Sequence, residues 1–188
     1  QGFLSDLESS GESVALAVGR CSQRLAGEEA YLPFLEALDS LLRSDGGGTL
    51  QKLRTLAPSW YAQLFPLAAS DPSDVRLLEY VRTTTQERVK RELATFVGEI
   101  SRKNPLVLFF DDVHWTDSST VDLLAHLATR FDSTALLVIV TYRPSELLQQ
   151  QHPFTAVRRD LQSRGLCREV EVEFLSEDDV DRYIALEF

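Results

Sequence analysis

Apolar residues in this chain gather in short unbroken runs, separated by longer stretches with helical spacing. Three runs stand out: Val14-Ala15-Leu16-Ala17-Val18, Leu106-Val107-Leu108-Phe109-Phe110 and Ala135-Leu136-Leu137-Val138-Ile139-Val140. Unbroken runs of this length predict strands covered on both faces, whereas a strand with one wet face alternates. A weaker fourth strand is predicted around Val170-Glu171-Val172-Glu173-Phe174, which does alternate. Helices are predicted between the runs. Pro33 suits a first helical turn, and Phe34, Leu35, Leu38, Leu41 and Leu42 then share one face. A long segment from about Val75 to Ser101 repeats Val89, Leu93, Phe96, Val97 and Ile100 at helical spacing, and Asn104-Pro105 stops it before the second strand. Thr116-Asp117-Ser118-Ser119 is an N-cap cluster for a helix that buries Val121, Leu124, Leu127, Ala128 and Phe131. Ser176 caps a last helix with Val180, Tyr183 and Ile184 facing inward. The stretch from Asp45 to Asp74 is less regular, and Leu50, Leu53, Leu56, Trp60 and Leu64 suggest two short helices. Gly46-Gly47-Gly48 reads as a flexible turn, because no strand precedes it and no Gly-Lys-Ser/Thr follows. Strand and helix alternate throughout, which predicts an α/β fold built on a parallel sheet.

Composition narrows the classes. The 188 residues suit one domain with an ordinary core, and 44% hydrophobic with 26% charged residues is the balance of a globular chain. No apolar run approaches the roughly 18 residues that cross a bilayer, so no membrane partner is expected. Cys21 and Cys167 have no metal-ligand spacing and read as small hydrophobes of a reducing, cytoplasmic compartment. The net charge of −10 and a pI near 4.8 argue against direct nucleic-acid binding by this segment, because phosphate contacts need a basic surface.

The chemistry concentrates in Asp111-Asp112-Val113-His114-Trp115-Thr116-Asp117, directly after the second run. The carboxyl end of a buried parallel strand is where α/β proteins bind ligands. Two adjacent carboxylates there repel each other unless a cation or a hydrogen-bond network intervenes. Magnesium meets that need, since it takes oxygen ligands and keeps most of its waters. One carboxylate would then hold the ion through water while the other orients or deprotonates an attacking water. An Asp-Asp pair by itself is also a common capping or turn signal.

The run from Leu106 to Asp117 resembles the Walker B region of AAA-related signalling ATPases of the STAND type, found in large bacterial multidomain regulators. Gly19-Arg20-Cys21-Ser22 followed by Ala30-Tyr31-Leu32-Pro33 is similar to that family's segment after its second strand. Thr141-Tyr142-Arg143-Pro144 resembles its sensor-strand terminus. Gly165-Leu166-Cys167 and Leu175-Ser176-Glu177-Asp178-Asp179-Val180 resemble the passage into its helical lid. The resemblance implies a three-layer P-loop NTPase-like sheet flanked by helices, with ATP and Mg²⁺ as cofactors of the complete domain. It implies that Asp111 is the magnesium-associated carboxylate, that Asp112 holds the catalytic-base position, and that Thr141 or Arg143 senses the γ-phosphate. Trp115 would pack or touch nucleotide, His114 would be a hydrogen-bonded structural residue or a ligand, and Asp117 would shape the loop or cap the helix. Arg143 could equally pair with Asp111 or Asp112 as a structural salt bridge. The implied division is a partial ATPase core over 1–174, with a helical insertion at about 33–74, and the start of the lid over 175–188.

Such ATPases carry G-x-x-x-x-G-K-[ST] after their first strand, where backbone amides and the Lys hold the phosphates. No such run occurs in the 188 residues. Relatives place it upstream of the helix that Gly2-Phe3-Leu4-Ser5-Asp6-Leu7 would end, so the expectation is an incomplete domain lacking its first strand and P-loop. The parent is then expected to be a nucleotide-operated switch, partnered by a fused output domain or by self-association, and this fragment alone to be inactive. The alternatives are a non-hydrolysing scaffold that kept the fold, and a metal-dependent phosphoesterase built on Asp111, Asp112 and His114.

Overall fold

A computed structural model describes residues 14–22, 30–44, 48–68, 70–130, 134–173 and 175–187. The helix end expected at Gly2–Leu7, the glycines Gly46 and Gly47, and the core positions Phe131 and Phe174 lie outside the described residues.

The three unbroken apolar runs form one parallel sheet. Strand β1 is Ala15–Arg20, β2 is Leu106–Asp111 and β3 is Leu136–Val140. Their spatial order is β1-β2-β3, with Ala15 opposite Leu106 and Leu106 opposite Leu136. Central β2 buries Leu106, Val107, Leu108 and Phe110, which is why its run shows no alternation.

Nine helices surround the sheet among the described residues: α1 (Leu32–Ser44), α2 (Gly48–Leu56), α3 (Pro58–Leu64), α4 (Pro72–Arg82), α5 (Gln86–Ser101), α6 (Ser118–Ala128), α7 (Pro144–Gln149), α8 (Phe154–Ser163) and α9 (Glu177–Glu187). Helix α1 starts with Pro33 in its first turn and buries Phe34, Leu35, Leu38 and Leu41, as its pattern predicts. It lies against β1 so closely that a Cβ on Gly19 would sit 2.0 Å from the Pro33 carbonyl oxygen. An aromatic chain continues outward from the sheet: Phe110 meets Phe34 at 4.6 Å between ring centroids, and Phe34 meets Trp60 at 6.2 Å. Trp60 is fully buried, and its indole donates to the Val89 carbonyl at 2.9 Å. Glu92 ties the short helices to α5: buried, it accepts from the Ser59 amide at 2.9 Å, the Ser59 hydroxyl at 3.2 Å and the Tyr80 hydroxyl at 2.7 Å.

Three expectations need correction. The segment from Val75 to Ser101 is two helices rather than one. Thr83 and Thr84 turn their hydroxyls back onto the Tyr80 carbonyl, and Thr85 has extended backbone as the N-cap of α5. Local side-chain bonds of this kind compete with helix continuation. The fourth strand does not form among the described residues: 170–173 is irregular, and Val170 and Val172 are 76% and 90% exposed. Its neighbour Glu169 is instead bonded to Tyr142, Arg158 and Gln162. The flank of β3 away from β2 is therefore unpaired among the described residues, and Leu137 is 50% exposed. Helix α9 has its predicted cap, with the Ser176 hydroxyl accepting from the Asp179 amide and the Asp179 carboxylate accepting from the Ser176 amide. Its Val180, Tyr183 and Ile184 are exposed rather than inward-facing.

Candidate active site

The carboxyl ends of β2 and β3 converge on one hydroxyl. Asp111 ends β2, and Asp112 then turns into the left-handed region at φ 58° and ψ 46°, which Asp tolerates better than most residues. The Thr141 hydroxyl donates to Asp111 Oδ1 at 2.5 Å and accepts from the Asp112 amide at 2.9 Å. The Thr141 amide donates to the Phe110 carbonyl at 3.0 Å, and the Thr141 carbonyl accepts from Val113 at 2.9 Å. Thr141 thus fixes both carboxylate-bearing residues relative to the sheet. The Asp112 carboxylate accepts no hydrogen bond among the described residues and lies 3.8 Å from His114 Nδ1, with its side chain 41% exposed. It is the uncommitted acid of the pair.

The flanking residues divide into structural and free groups. His114 is buried, and its Nδ1 accepts the Arg143 amide at 3.4 Å, which assigns the ring proton to Nε2. That Nε2 has no hydrogen-bond partner among the described residues. Trp115 packs on the His114 ring at 4.9 Å. Asp117 caps α6: it accepts from the Ser119 and Thr120 amides at 2.8 and 3.0 Å, from the Thr120 hydroxyl, and from the Tyr31 amide at 3.3 Å. Its lone pairs are spent on the chain. The Arg143 guanidinium is 68% exposed and pairs with Glu146 at 3.4 Å, so the salt bridge to Asp111 or Asp112 is not made. An exposed pair of this kind contributes about 0–1 kcal/mol, which leaves the side chain free to swing.

Two contributors were not read from the sequence. His152 is buried; its Nδ1 accepts from the Phe154 amide at 3.3 Å, so its Nε2 donates to the Thr116 carbonyl at 2.9 Å and pins the loop after the acidic pair. Cys21 donates its amide to the Asp111 carbonyl at 3.0 Å. Burial, and then the carboxylates of Glu36, Asp111, Asp112 and Asp117, push its thiol from an ordinary 9.0 up to about 12. The Cys21 thiol therefore reports its burial first and the negative charge at the strand ends second. Because the folded value lies above the unfolded one, its contribution to stability is full below pH 9 and is lost as pH rises toward 12. Iodoacetamide at pH 8.5 is expected to modify Cys21 far more slowly in the native chain than in urea. Equal rates would contradict the burial and the raised thiol.

A divalent cation fits this chemistry in one form. No group of three or more His, Cys, Asp or Glu side chains among the described residues could hold a metal ion, which is the wrong inventory for a closed protein cage. One or two carboxylates facing water and substrate phosphate is the usual arrangement for Mg²⁺, and Asp111 and Asp112 are the residues that could supply it. Among the described residues His114 does not join Asp111 and Asp112 in a three-residue metal-holding group of the phosphoesterase kind.

Residues 3–140 match the family model described as AAA ATPase domain. The match takes in Asp111 and Asp112 and ends before Thr141 and Arg143. An uncharacterized protein of Rhizobium meliloti (strain 1021) is 32% identical over 168 aligned residues, which cover 75% of this chain and 16% of that protein. The chain thus spans about one-sixth of the length of the curated relative it matches. No solved structure matches the chain. No helix among the described residues is long and apolar enough to cross a membrane.

Proposed function

Since the chain belongs to the AAA ATPase domain family, we propose that it is part of an ATP-binding and hydrolysing switch module within a larger signalling or transcription regulator. The observation that carries the proposal is the Thr141 hydroxyl bridge, which locks Asp111 and the Asp112 amide together while leaving the Asp112 carboxylate free. Asp111 would hold Mg²⁺ and Asp112 would act as general base. The ion, when bound, neutralises phosphate charge. Asp112 holds a water in line and takes its proton as the γ-phosphate is attacked. Thr141 and Arg143 would read the γ-phosphate. Arg143 leaves Glu146 to reach it, and because Arg143 is the N-cap of α7, its return on phosphate loss moves that helix relative to His114.

In this reading the core runs over 1–174 with its helical insertion at about 33–74, and 175–188 begins a lid. The exposed apolar side of α9 supports a lid that packs elsewhere in the parent. The chain's small share of its relative supports a multidomain parent. A cytoplasmic, bacterial, STAND-type regulator with a fused output domain or self-association is the setting this reading favours.

A second reading is a scaffold that binds partners without turnover, in which Asp111 and Asp112 have no catalytic task. Phosphate release separates the readings. The full-length parent is expected to cleave ATP with magnesium, to stop with EDTA, and to leave p-nitrophenyl phosphate intact. Magnesium-dependent cleavage of that simple ester by the 188-residue chain would overturn the proposal in favour of a phosphoesterase.

A further inference from the structure

Along α5 the surface changes sign. A cavity of about 610 Å³ is lined by Lys52, Arg102, Arg130 and Thr134 over a floor that includes Leu56 and Ala94. A second, of about 450 Å³, is lined by Arg88, Arg91 and Glu92 and shares Leu56 and Thr95 with the first. The two form one groove along α5, where residues 88, 91, 95 and 99 and the C-cap Arg102 recur at three- and four-residue spacing on one face. From Arg88 to Arg102 that face runs about 21 Å. Five cations stand along it against Glu92 and Glu99, in a chain whose net charge is −10.

The cations are incompletely neutralised. Lys52 and Arg102 share Glu99, at 3.9 and 3.3 Å. Arg88 lies over the Tyr80 ring at 4.4 Å, and among the described residues Arg91 donates only to the Glu87 backbone carbonyl, at 3.2 Å. Neither Arg91 nor Arg130 forms an ion pair among the described residues. Thr134 Oγ1 is buried with no hydrogen-bond partner among the described residues. Arg102 and Thr134 precede β2 and β3, so that end of the groove lies at the amino ends of the strands. The acidic pair lies at their carboxyl ends, about 17 Å from that end along a strand of this length.

We propose that this groove binds an acidic polypeptide segment whose carboxylates pair with Arg88, Arg91, Arg102 and Arg130 while its apolar side chains rest on Leu56 and Ala94. Charge complementarity selects the sign of the partner, and the length of the stripe selects its class. A small anion reaches one end only, whereas about six extended residues span 21 Å. Glu92 and Glu99 interrupt the stripe and oppose a continuous phosphate backbone, which disfavours nucleic acid.

A fluorescein-labelled twelve-residue peptide of alternating Glu and Leu is the probe, read by anisotropy with the 188-residue chain at low salt. Binding is expected, with at least a tenfold loss in R91E/R130E, no change in D112N, and no binding of the Gln-Leu counterpart. Thermal melts establish that the double variant is folded; if it is not, R91Q/R130Q is expected to give a smaller loss of the same sign. Equal binding of the Gln-Leu peptide, or indifference to the folded charge variants, would overturn the proposal. So would displacement by stoichiometric citrate, or tighter charge-dependent binding of a twelve-nucleotide single strand.

Discussion

Replacing Asp112 with Asn in the full-length parent is expected to lower ATP turnover by about 10²–10⁴-fold, the usual contribution of a positioned general base, while Mg·ATP affinity changes by less than about threefold. The substitution separates chemistry from structure unusually well at this position. Asn tolerates the left-handed backbone of Asp112 as readily as Asp does. The amide that donates to Thr141 is a backbone group and survives the change. The side chain accepts no hydrogen bond among the described residues, so little stability is lost with its charge. What disappears is basicity beside the attacking water. Single-turnover hydrolysis and equilibrium binding, measured on the same preparation, check both halves. Turnover within a few-fold of wild type would remove Asp112 from the base role. Parallel loss of binding would give the side chain a structural task instead.

The largest stability effect is expected at Gly19. A Cβ there falls 2.0 Å from the Pro33 carbonyl oxygen, 2.8 Å from its carbon and 3.0 Å from the Phe110 ring. The first two are backbone atoms at the start of α1, so no rotamer change relieves the contact. Helix α1 would have to retreat from β1 and loosen the packing of Phe34 on Phe110. Gly19→Ala is expected to cost about 3 kcal/mol, the upper end of overpacking penalties. For a chain of this size that corresponds to a fall of about 6–12 °C in melting temperature. Circular dichroism melts of the two proteins provide the test. A change of under about 2 °C would mean that α1 rides on the sheet with more freedom than its packing indicates.

The sheet is the part of the molecule most directly written in the sequence. Leu106 to Phe110 is apolar without a break because β2 is covered on both faces, whereas the equally apolar flanking runs are only partly covered, β3 having no fully buried residue. Val170 to Phe174 misled because alternation records only that one face is apolar; it does not supply an edge to pair with. The helix break at Thr83–Thr85 was hidden for a related reason. Helical spacing persists on both sides of it, and the deciding interactions are hydroxyl-to-carbonyl bonds that no periodicity encodes.

The site divides along the same line. Asp111 and Asp112 were visible as a carboxylate pair at a strand end, and Asp117 as a cap that the structure bears out. The Thr141 bridge depends on the register of β2 against β3, which sets Phe110 opposite Val140 and so brings Thr141 onto the acids. Cys21 comes near Asp111 for the same reason, one residue past the pairing of Arg20 with Asp111. His152 gave no local signal at all. Its role is one long-range bond to a loop 36 residues earlier in the chain, oriented by a local bond from the Phe154 amide.

Titration of ATP into the full-length parent by calorimetry, with magnesium, with EDTA and in an Asp111→Asn variant, tests the central claim most directly. Micromolar binding that weakens at least tenfold both without magnesium and without the Asp111 carboxylate is the predicted result. ATP binding indifferent to magnesium and to Asp111, or no binding at all, would contradict a magnesium-dependent nucleotide switch at this site.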